Sequence, residues 1–225
     1  MCTRIDGPHQ IRNATLPRLR PLRAVANVLF RGETMSDSNP CKSNRSSWHV
    51  AVAAEAIAAA QFARCGFDVS VQYGADQPEY DLVVAKGESL LKVSVKGSQD
   101  GGWGLTQSYM KKATERSGKR GDYLGAIDLW LERHSSCTVF CFVQFQGVDV
   151  DQLPRIYLAS PKEVAHRLRQ TAKGRGDSIL YENWKWTSRA HGAGTTEKLP
   201  STWCFSIQRV QELLEKRGQD PVSID

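Results

Sequence analysis

The stretch YDLVVAKGESLLKVSVKG, residues 80–97, predicts two apolar β-strands joined by a turn at a glycine. This hairpin carries an acid and a base in unusual places: Asp81 opens the first strand and Lys96 closes the second. Charged groups in a buried hairpin cost free energy unless a partner or a ligand compensates them. The hairpin therefore predicts either a structural ion pair at the end of a sheet or a binding site for a metal ion and a phosphate.

The alternation of side chains along a strand divides the hairpin into two faces. Ser94 and Lys96 are two residues apart and share one face. A two-residue turn at Lys86-Gly87 would bring Asp81 to that face as well, opposite or diagonal to them. The other face is expected to lie in the core and consists of Leu82, Val84, Leu91, Val93 and Val95.

A helix before the hairpin supplies a further acid. Residues 46–67 (SSWHVAVAAEAIAAAQFARCGF) are rich in strong helix formers, with Ser46 or Ser47 as N-cap and a glycine as the end. On one face Glu55 lies among alanines, which would let the helix approach a sheet closely. A lone buried glutamate is costly or takes up a proton, whereas a divalent cation shared with Asp81 would remove the cost, because hard cations prefer carboxylate oxygens.

The remaining pattern predicts one α/β domain over residues 46–217, since helices and strands follow one another without a long linker. Residues 1–45 are basic, with an alternative start at Met35, and are expected to be a disordered leader or a start-site error; a transit peptide and a basic arm on nucleic acid are the alternatives. Residues 218–225 are expected to be a flexible tail. The further elements are strands at 68–74, 137–148 and 155–160, a late strand or edge hairpin at 178–186, helices at 122–134, 161–173 and 207–217, and a polar helix or ordered loop at 105–121.

The composition excludes some classes of protein. No apolar run approaches the ~20 residues that a transmembrane helix needs. The net charge of +6 over 225 residues favours an anionic partner, nucleic acid first. The six cysteines lack the paired spacing of a zinc site, which predicts reduced thiols in a cytoplasmic protein.

Glu55 on a helix, Asp81 in EYDLVV and a strand that ends in Val95-Lys96 together resemble the PD-(D/E)XK nuclease superfamily, in particular the branch with Holliday-junction resolvases and intron-associated endonucleases. The resemblance implies a restriction-endonuclease-like α/β core, with a mixed central sheet flanked by helices in the order α-β-β-β-α-β. It also implies a nuclease that depends on Mg²⁺, with Mn²⁺ as a substitute. Such an enzyme hydrolyses phosphodiester bonds in DNA during repair, recombination, mobile-element activity or defence.

The same resemblance implies roles for individual residues. Glu55, Asp81 and the backbone carbonyl of Val95 would be metal ligands, and Lys96 would position or deprotonate the attacking water. Ser94 stands where the family has Glu, Asp or Gln, so metal affinity is expected to be lower, although the hydroxyl could still hold a metal-bound water. A catalytically weakened nucleic-acid-binding module of the same fold is the alternative. An unrelated α/β protein with structural Glu55 and Lys96 is a further one.

The segments after the hairpin offer contacts to nucleic acid. In the glycine-rich loop GSQDGGWG, Gln99 could orient Lys96, and Trp103 could either stack on a base or pack in the core. Lys111 and Lys112 open the first of two basic clusters that would follow a phosphate backbone. DNA is the expected partner, and a homodimer is a possible assembly.

Overall fold

The computed structural model describes residues 46–72, 79–135, 137–187 and 191–217, and a mixed five-stranded sheet is their centre. The helices are α1 (Ser47–Arg64), α2 (Met110–Ser117), α3 (Tyr123–Leu131), α4 (Pro161–Gly174) and α5 (Ile207–Arg217). The strands are β1 (Asp68–Val71), β2 (Leu82–Lys86), β3 (Ser89–Ser98), β4 (Gly102–Gly104), β5 (Thr138–Gln144), β6 (Arg155–Ala159), β7 (Ile179–Tyr181), β8 (Asn183–Lys185) and β9 (Thr196–Lys198).

The strand order in the main sheet is β1-β2-β3-β5-β6. All neighbours are antiparallel except β3 and β5, which run parallel. Two small ladders complete the described strands: β4 pairs with β7, and β8 pairs with β9. The predicted α/β restriction-endonuclease-like fold with a mixed central sheet is confirmed.

The β2–β3 hairpin has the two faces that the alternation predicts. Its turn differs from the prediction: Lys86 pairs with Ser89, so the turn residues are Gly87 and Glu88, one position later than expected. Gly87 adopts a φ of +60°, a conformation that glycine reaches without steric cost. Because the turn still contains two residues, the predicted faces are unchanged, and all five residues of the expected core face are buried.

Helix α1 lies directly on β3. It begins with a capping box between Ser46 and His49 and ends just before Gly66. Ala54 and Ala58 are fully buried against the sheet. At Gly97 a Cβ atom would lie 2.8 Å from the carbonyl oxygen of Val50 and 2.9 Å from Cβ of Ala54. Glycine at this position therefore permits the close approach that the alanine-rich helix face predicts.

The sheet is covered on both faces. One core joins α1 and α5 to the face that carries Val93 and Val95, and Phe62 of α1 and Val210 of α5 are fully buried in it. The second core joins α3 and α4 to the face that carries Phe140 and Phe142 of β5. Every residue of β5 is buried, as expected for an interior strand.

The predicted outer helices are present, whereas strands β4 and β9 are not predicted and residues 178–186 differ from the prediction. Asp122 caps α3, and Ser160 and Glu163 form the predicted capping box of α4. Residues 178–186, predicted to be a late strand or an edge hairpin, form two strands, β7 and β8, separated by a bend at Glu182; they pair with β4 and β9 and not with each other. The predictions for 1–45, 73–74 and 218–225 lie outside the described residues, and no described helix is both long and apolar enough to cross a membrane.

Candidate active site

A cavity of about 400 Å³ lies where the β2–β3 ladder ends, and Glu55, Asp81 and Lys96 all contribute to its lining. The rest of the wall comes from the first turns of α1 and from the loop that leads from β3 into β4. The three residues that carry the family resemblance are therefore brought together from two strands and one helix.

Asp81 is held at the end of the ladder by two backbone contacts. Its own N–H donates to the carbonyl of Val93 at 2.9 Å, and its Oδ2 accepts the N–H of Val95 at 2.6 Å. Since β2 begins at Leu82 while β3 continues, the carboxylate takes the place of the missing strand residue. Val95, whose carbonyl is a predicted metal ligand, also lines the cavity.

This edge position explains how groups from opposite faces of the sheet meet. Helix α1, with Glu55, packs on the face that carries Val95, whereas alternation places Lys96 on the other face. Among the described strands, none pairs with this side of β3 beyond the end of β2. Glu55 and Lys96 can therefore line the same cavity as Asp81 from opposite faces.

The charges in the cavity are close but not neutralised. Burial raises the pKa of Glu55, the negative charge of Asp81 raises it further, and the positive charge of Lys96 opposes both. Within the described part of the chain, Lys96 is in no salt bridge with either carboxylate. Two carboxylates that repel each other in one cavity form an oxygen-rich donor set that suits a hard divalent cation.

Trp103 anchors the strand that carries Lys96. Its indole N–H donates to the backbone carbonyl of Lys96 at 2.9 Å, and its ring contacts Phe142 and Tyr157 at centroid distances of 5.1 and 6.4 Å. The residue is only 3% exposed. Trp103 contributes to the cavity lining, but its burial and ring contacts favour the packing alternative over stacking on a nucleic-acid base.

Ser94 is buried and does not line the cavity. The hairpin register, continued by one residue, places Ser94 opposite Asp81, and β5 aligns it with Phe140. Ser94 is 3% exposed and is not a lining residue. Among the described residues, no group of three or more His, Cys, Asp or Glu side chains is placed to hold a metal. That Ser94 stands where the family has a carboxylate stays a prediction.

The predicted nucleic-acid contacts are placed unevenly. Gln99 lines the cavity, whereas Lys111 and Lys112 are exposed on α2, outside the cavity wall. The second basic cluster consists of Lys162, Arg167, Arg169, Lys173 and Arg175. Its three arginines form ion pairs within the fold: Arg167 with Glu197, Arg169 with Asp128, and Arg175 with Asp177.

His134 is a neighbour of the site that the sequence pattern does not predict. Both ring nitrogens are buried without a hydrogen bond in the described part of the chain, and the ring contacts Trp130 and Phe140. Burial lowers its pKa; Glu79, 3.7 Å away, opposes this, and the charges of Lys96 and Arg133 add to it. His134 comes shortly after α3 and belongs to no recognisable sequence motif. Its proximity to Lys96 is therefore visible only in the folded chain.

Comparison with known proteins agrees with this geometry. The family model for PD-(D/E)XK endonucleases matches residues 47–172, more than half of the 225 residues, and so includes Glu55, Asp81 and Lys96. No curated protein and no solved structure matches the chain. From the extent of the family match, together with the mixed sheet and the cavity at its edge, we conclude that this chain belongs to the PD-(D/E)XK endonuclease family.

Proposed function

We propose that the protein is a divalent-metal-dependent endonuclease that hydrolyses phosphodiester bonds in DNA. The observation that carries this proposal is the single cavity in which Glu55, Asp81 and Lys96 meet without a salt bridge between the lysine and either carboxylate. A fold that needed these charges only for stability would be expected to pair them directly.

Glu55, Asp81 and the carbonyl of Val95 are the groups that would hold the cation, Mg²⁺ or, as a substitute, Mn²⁺. When bound there, the cation would supply Lewis-acid polarisation of the phosphodiester and acidify the attacking water. These ligands come from different elements of the fold. The hydrogen bond from the Val95 N–H to Asp81 and the close contact of α1 with β3 fix the positions of these elements relative to one another.

Lys96 acts on the attacking water and on the phosphate charge. Its side chain is exposed to the cavity, while its backbone is fixed by Trp103. An ammonium at this place can orient the water, accept its proton after losing its own, and offset negative charge that develops on the phosphate. Gln99, three residues further along, is positioned to orient Lys96 or the phosphate.

Binding of DNA would draw on exposed cations outside the cavity wall. Lys111 and Lys112 on α2 are assigned to contacts with the phosphate backbone, in line with the net charge of +6. The cytoplasmic location and the homodimer stay predictions, as do repair, recombination, mobile-element activity or defence as the setting.

Ser94 supports a second candidate, a catalytically weakened module that binds nucleic acid. Its hydroxyl provides no anionic ligand, and its burial keeps it out of the cavity wall. Such a module would keep the fold and the basic surface but would bind metal weakly. Cleavage and metal binding together distinguish the two candidates.

The experiment is cleavage of duplex, single-stranded and branched DNA, and of RNA, with Mg²⁺ or Mn²⁺. Asp81→Asn is expected to abolish cleavage, because it removes one of two anionic ligands, and to leave DNA binding intact. Asp149→Asn, which changes an exposed carboxyl group outside the cavity wall, is the matched control and should cleave normally. An Asp81→Asn protein as active as wild type would refute the metal site. An inactive wild type without an Asp81-dependent Mn²⁺ site in calorimetry would favour the binding module.

A further inference from the structure

The aromatic side chains of β7 and β8 form a cluster at the protein surface. The rings of Tyr181 and Trp184 are stacked, with centroids 5.1 Å apart and an interplanar angle of 21°. Trp186 contacts both edge-on, at 5.9 and 6.5 Å. Tyr181 thus covers one face of the Trp184 ring, yet Trp184 keeps 44% of its surface exposed. An exposed indole that is already half of a stack offers its remaining ring surface to a further flat group.

This cluster is continuous with the wall of the active-site cavity. Gly102, a lining residue of that cavity, pairs with Tyr181 across the β4–β7 ladder. A Cβ atom at Gly102 would lie 3.5 Å from Cδ1 of Tyr181. The next residue, Glu182, donates its N–H to the carbonyl of Gly101 at 3.0 Å. A chain of nucleotides that leaves the cavity over β4 therefore meets the aromatic cluster next.

Two basic side chains lie at the cluster, Arg175, which is paired with Asp177, and Lys185, which supplies an unpaired positive charge among the described residues. The guanidinium of Arg175 lies 5.7 Å from the ring centre of Trp186, and Lys185 is exposed and in no salt bridge within the described residues. The acidic neighbours are each bound to an arginine: Asp177 to Arg175, Glu182 to Arg155, and Glu197 to Arg167. The surface thus combines exposed ring area with cations, the combination by which proteins bind single-stranded nucleic acid.

We propose that Tyr181, Trp184 and Trp186, with Arg175 and Lys185, bind the unpaired bases of a single-stranded DNA segment beside the bond to be cleaved. This inference rests on the proposed nuclease function and names its substrate class: DNA with a single-stranded tail or fork in preference to a continuous duplex. Stacking requires a free base face, and in a continuous duplex each base face is covered by the adjacent base pairs. Trp184 is the residue with a ring surface free to receive one.

The test measures binding by fluorescence anisotropy, without divalent ions, for three labelled DNAs: a single strand, a blunt duplex and a forked duplex. Trp184→Leu keeps apolar area but removes the aromatic ring, and it is expected to weaken binding of the single strand and the fork by roughly 5-fold or more. Trp184→Phe should retain most of the affinity. Binding of the blunt duplex should be equal for all three proteins. Lys185→Ala should lower the salt slope of single-strand binding by about 0.7.

The outcomes separate this inference from the proposed function. The stacking surface is refuted, while the nuclease proposal stands, if the Trp184→Leu protein binds the fork as tightly as wild type does. The same holds if the substitution lowers the affinity for the fork and for the blunt duplex by the same factor. If Trp184→Phe is as weak as Trp184→Leu and both have lowered thermal stability, the cluster only packs the hairpin, and the inference is again refuted. Wild-type protein that binds none of the three DNAs would refute both.

Discussion

Two cavities of nearly equal size differ in how their charges are paired. The active-site cavity has a volume of about 400 Å³, and a second cavity, of about 390 Å³, is lined in part by Arg155, Tyr157 and Glu182. In the second, Arg155 donates to both oxygens of Glu182 at 2.6 and 2.9 Å, and the Tyr157 hydroxyl donates to the same carboxylate at 2.7 Å. In the first, Glu55 and Asp81 repel each other, and Lys96 forms a salt bridge with neither.

The pKa values of the two half-buried glutamates follow this difference. Burial favours the protonated form of Glu182, but the hydrogen bonds from Arg155 and Tyr157 outweigh it and hold its pKa below the ordinary value. Burial also favours the protonated form of Glu55, and there the charge of Asp81 acts in the same direction, so the pKa is raised. Volume alone would not distinguish the cavities. Among the described residues, the lack of a salt bridge from Lys96 to either carboxylate distinguishes the cavity that can accept an external cation.

The largest expected effect concerns the lysines of the two cavities. Lys96→Ala should lower the cleavage rate by roughly 10²- to 10⁴-fold, the range for loss of a positioned acid–base group. Lys198→Ala removes the same charge from the lining of the second cavity and should leave the rate unchanged. Single-turnover cleavage of labelled DNA measures both. Equal losses in the two variants would mean that overall charge, and not the site, controls the rate.

A stability measurement extends the comparison to the glutamates. Glu182→Gln leaves the charge of Arg155 without its counter-ion and should cost about 1–3 kcal/mol of unfolding free energy. Glu55→Gln removes repulsion with Asp81 and should cost nothing or stabilise slightly when no divalent ion is present. Urea unfolding of both variants in the presence of a chelator tests this. A Glu55→Gln protein destabilised as much as Glu182→Gln would show that Glu55 is structural.

Metal affinity at position 94 gives a finer test of the first cavity. Ser94→Glu places a carboxylate on the β3 residue opposite Asp81 and is expected to tighten Mn²⁺ binding. Ser94→Gln has nearly the same size without the charge and controls for the crowding of this buried position. Isothermal titration calorimetry gives the dissociation constants. If the Gln variant binds Mn²⁺ as tightly as the Glu variant, a third carboxylate has no role.

The smallest expected effect is the pH dependence contributed by His134 beside the first cavity. Its pKa is lowered from 6.5 in the folded protein by burial and by the charges of Lys96 and Arg133, against the opposing charge of Glu79. As the pH falls, His134 therefore takes up a proton in the unfolded chain before it does so in the folded protein. The free energy of unfolding that His134 contributes above pH 6.5 should decline as the pH falls below that value.

Unfolding free energies of the wild type and of His134→Leu on either side of that pH measure the effect. The decline should be smaller in His134→Leu, whereas His166→Gln, which removes an exposed histidine, should follow the wild type. A parallel decline in all three proteins would assign the pH dependence to other groups.

Local rules predict much of the fold and the centre of the site. The two-residue period of the hairpin and the even length of its turn determine its faces, so the prediction holds although the turn lies one residue later, at Gly87 and Glu88. The alanine-rich face of α1 correctly predicts a helix close to the sheet. That Glu55, Asp81 and Lys96 line one cavity follows from these local features combined with the family resemblance.

The parts that sequence reasoning misses depend on contacts between distant segments. The sequence leaves open whether Trp103 stacks on a base or packs in the core, because its hydrogen bond to Lys96 and its packing on Phe142 are not visible in a glycine-rich loop. His134 reaches the site only because α3 packs on the back of the sheet. The division of 178–186 into two strands depends on partners that lie elsewhere in the chain.

Gly97 has a consequence for mutational screens. A methyl group there would overlap the backbone of α1 at Val50, so any side chain would push the helix that carries Glu55 away from the strand that carries Lys96. In a library scored by DNA cleavage, substitutions of this uncharged residue would therefore be depleted as strongly as those of the acids and the lysine. In a library scored for folded protein alone, only part of that depletion should remain, because a shifted helix can still bury its apolar face.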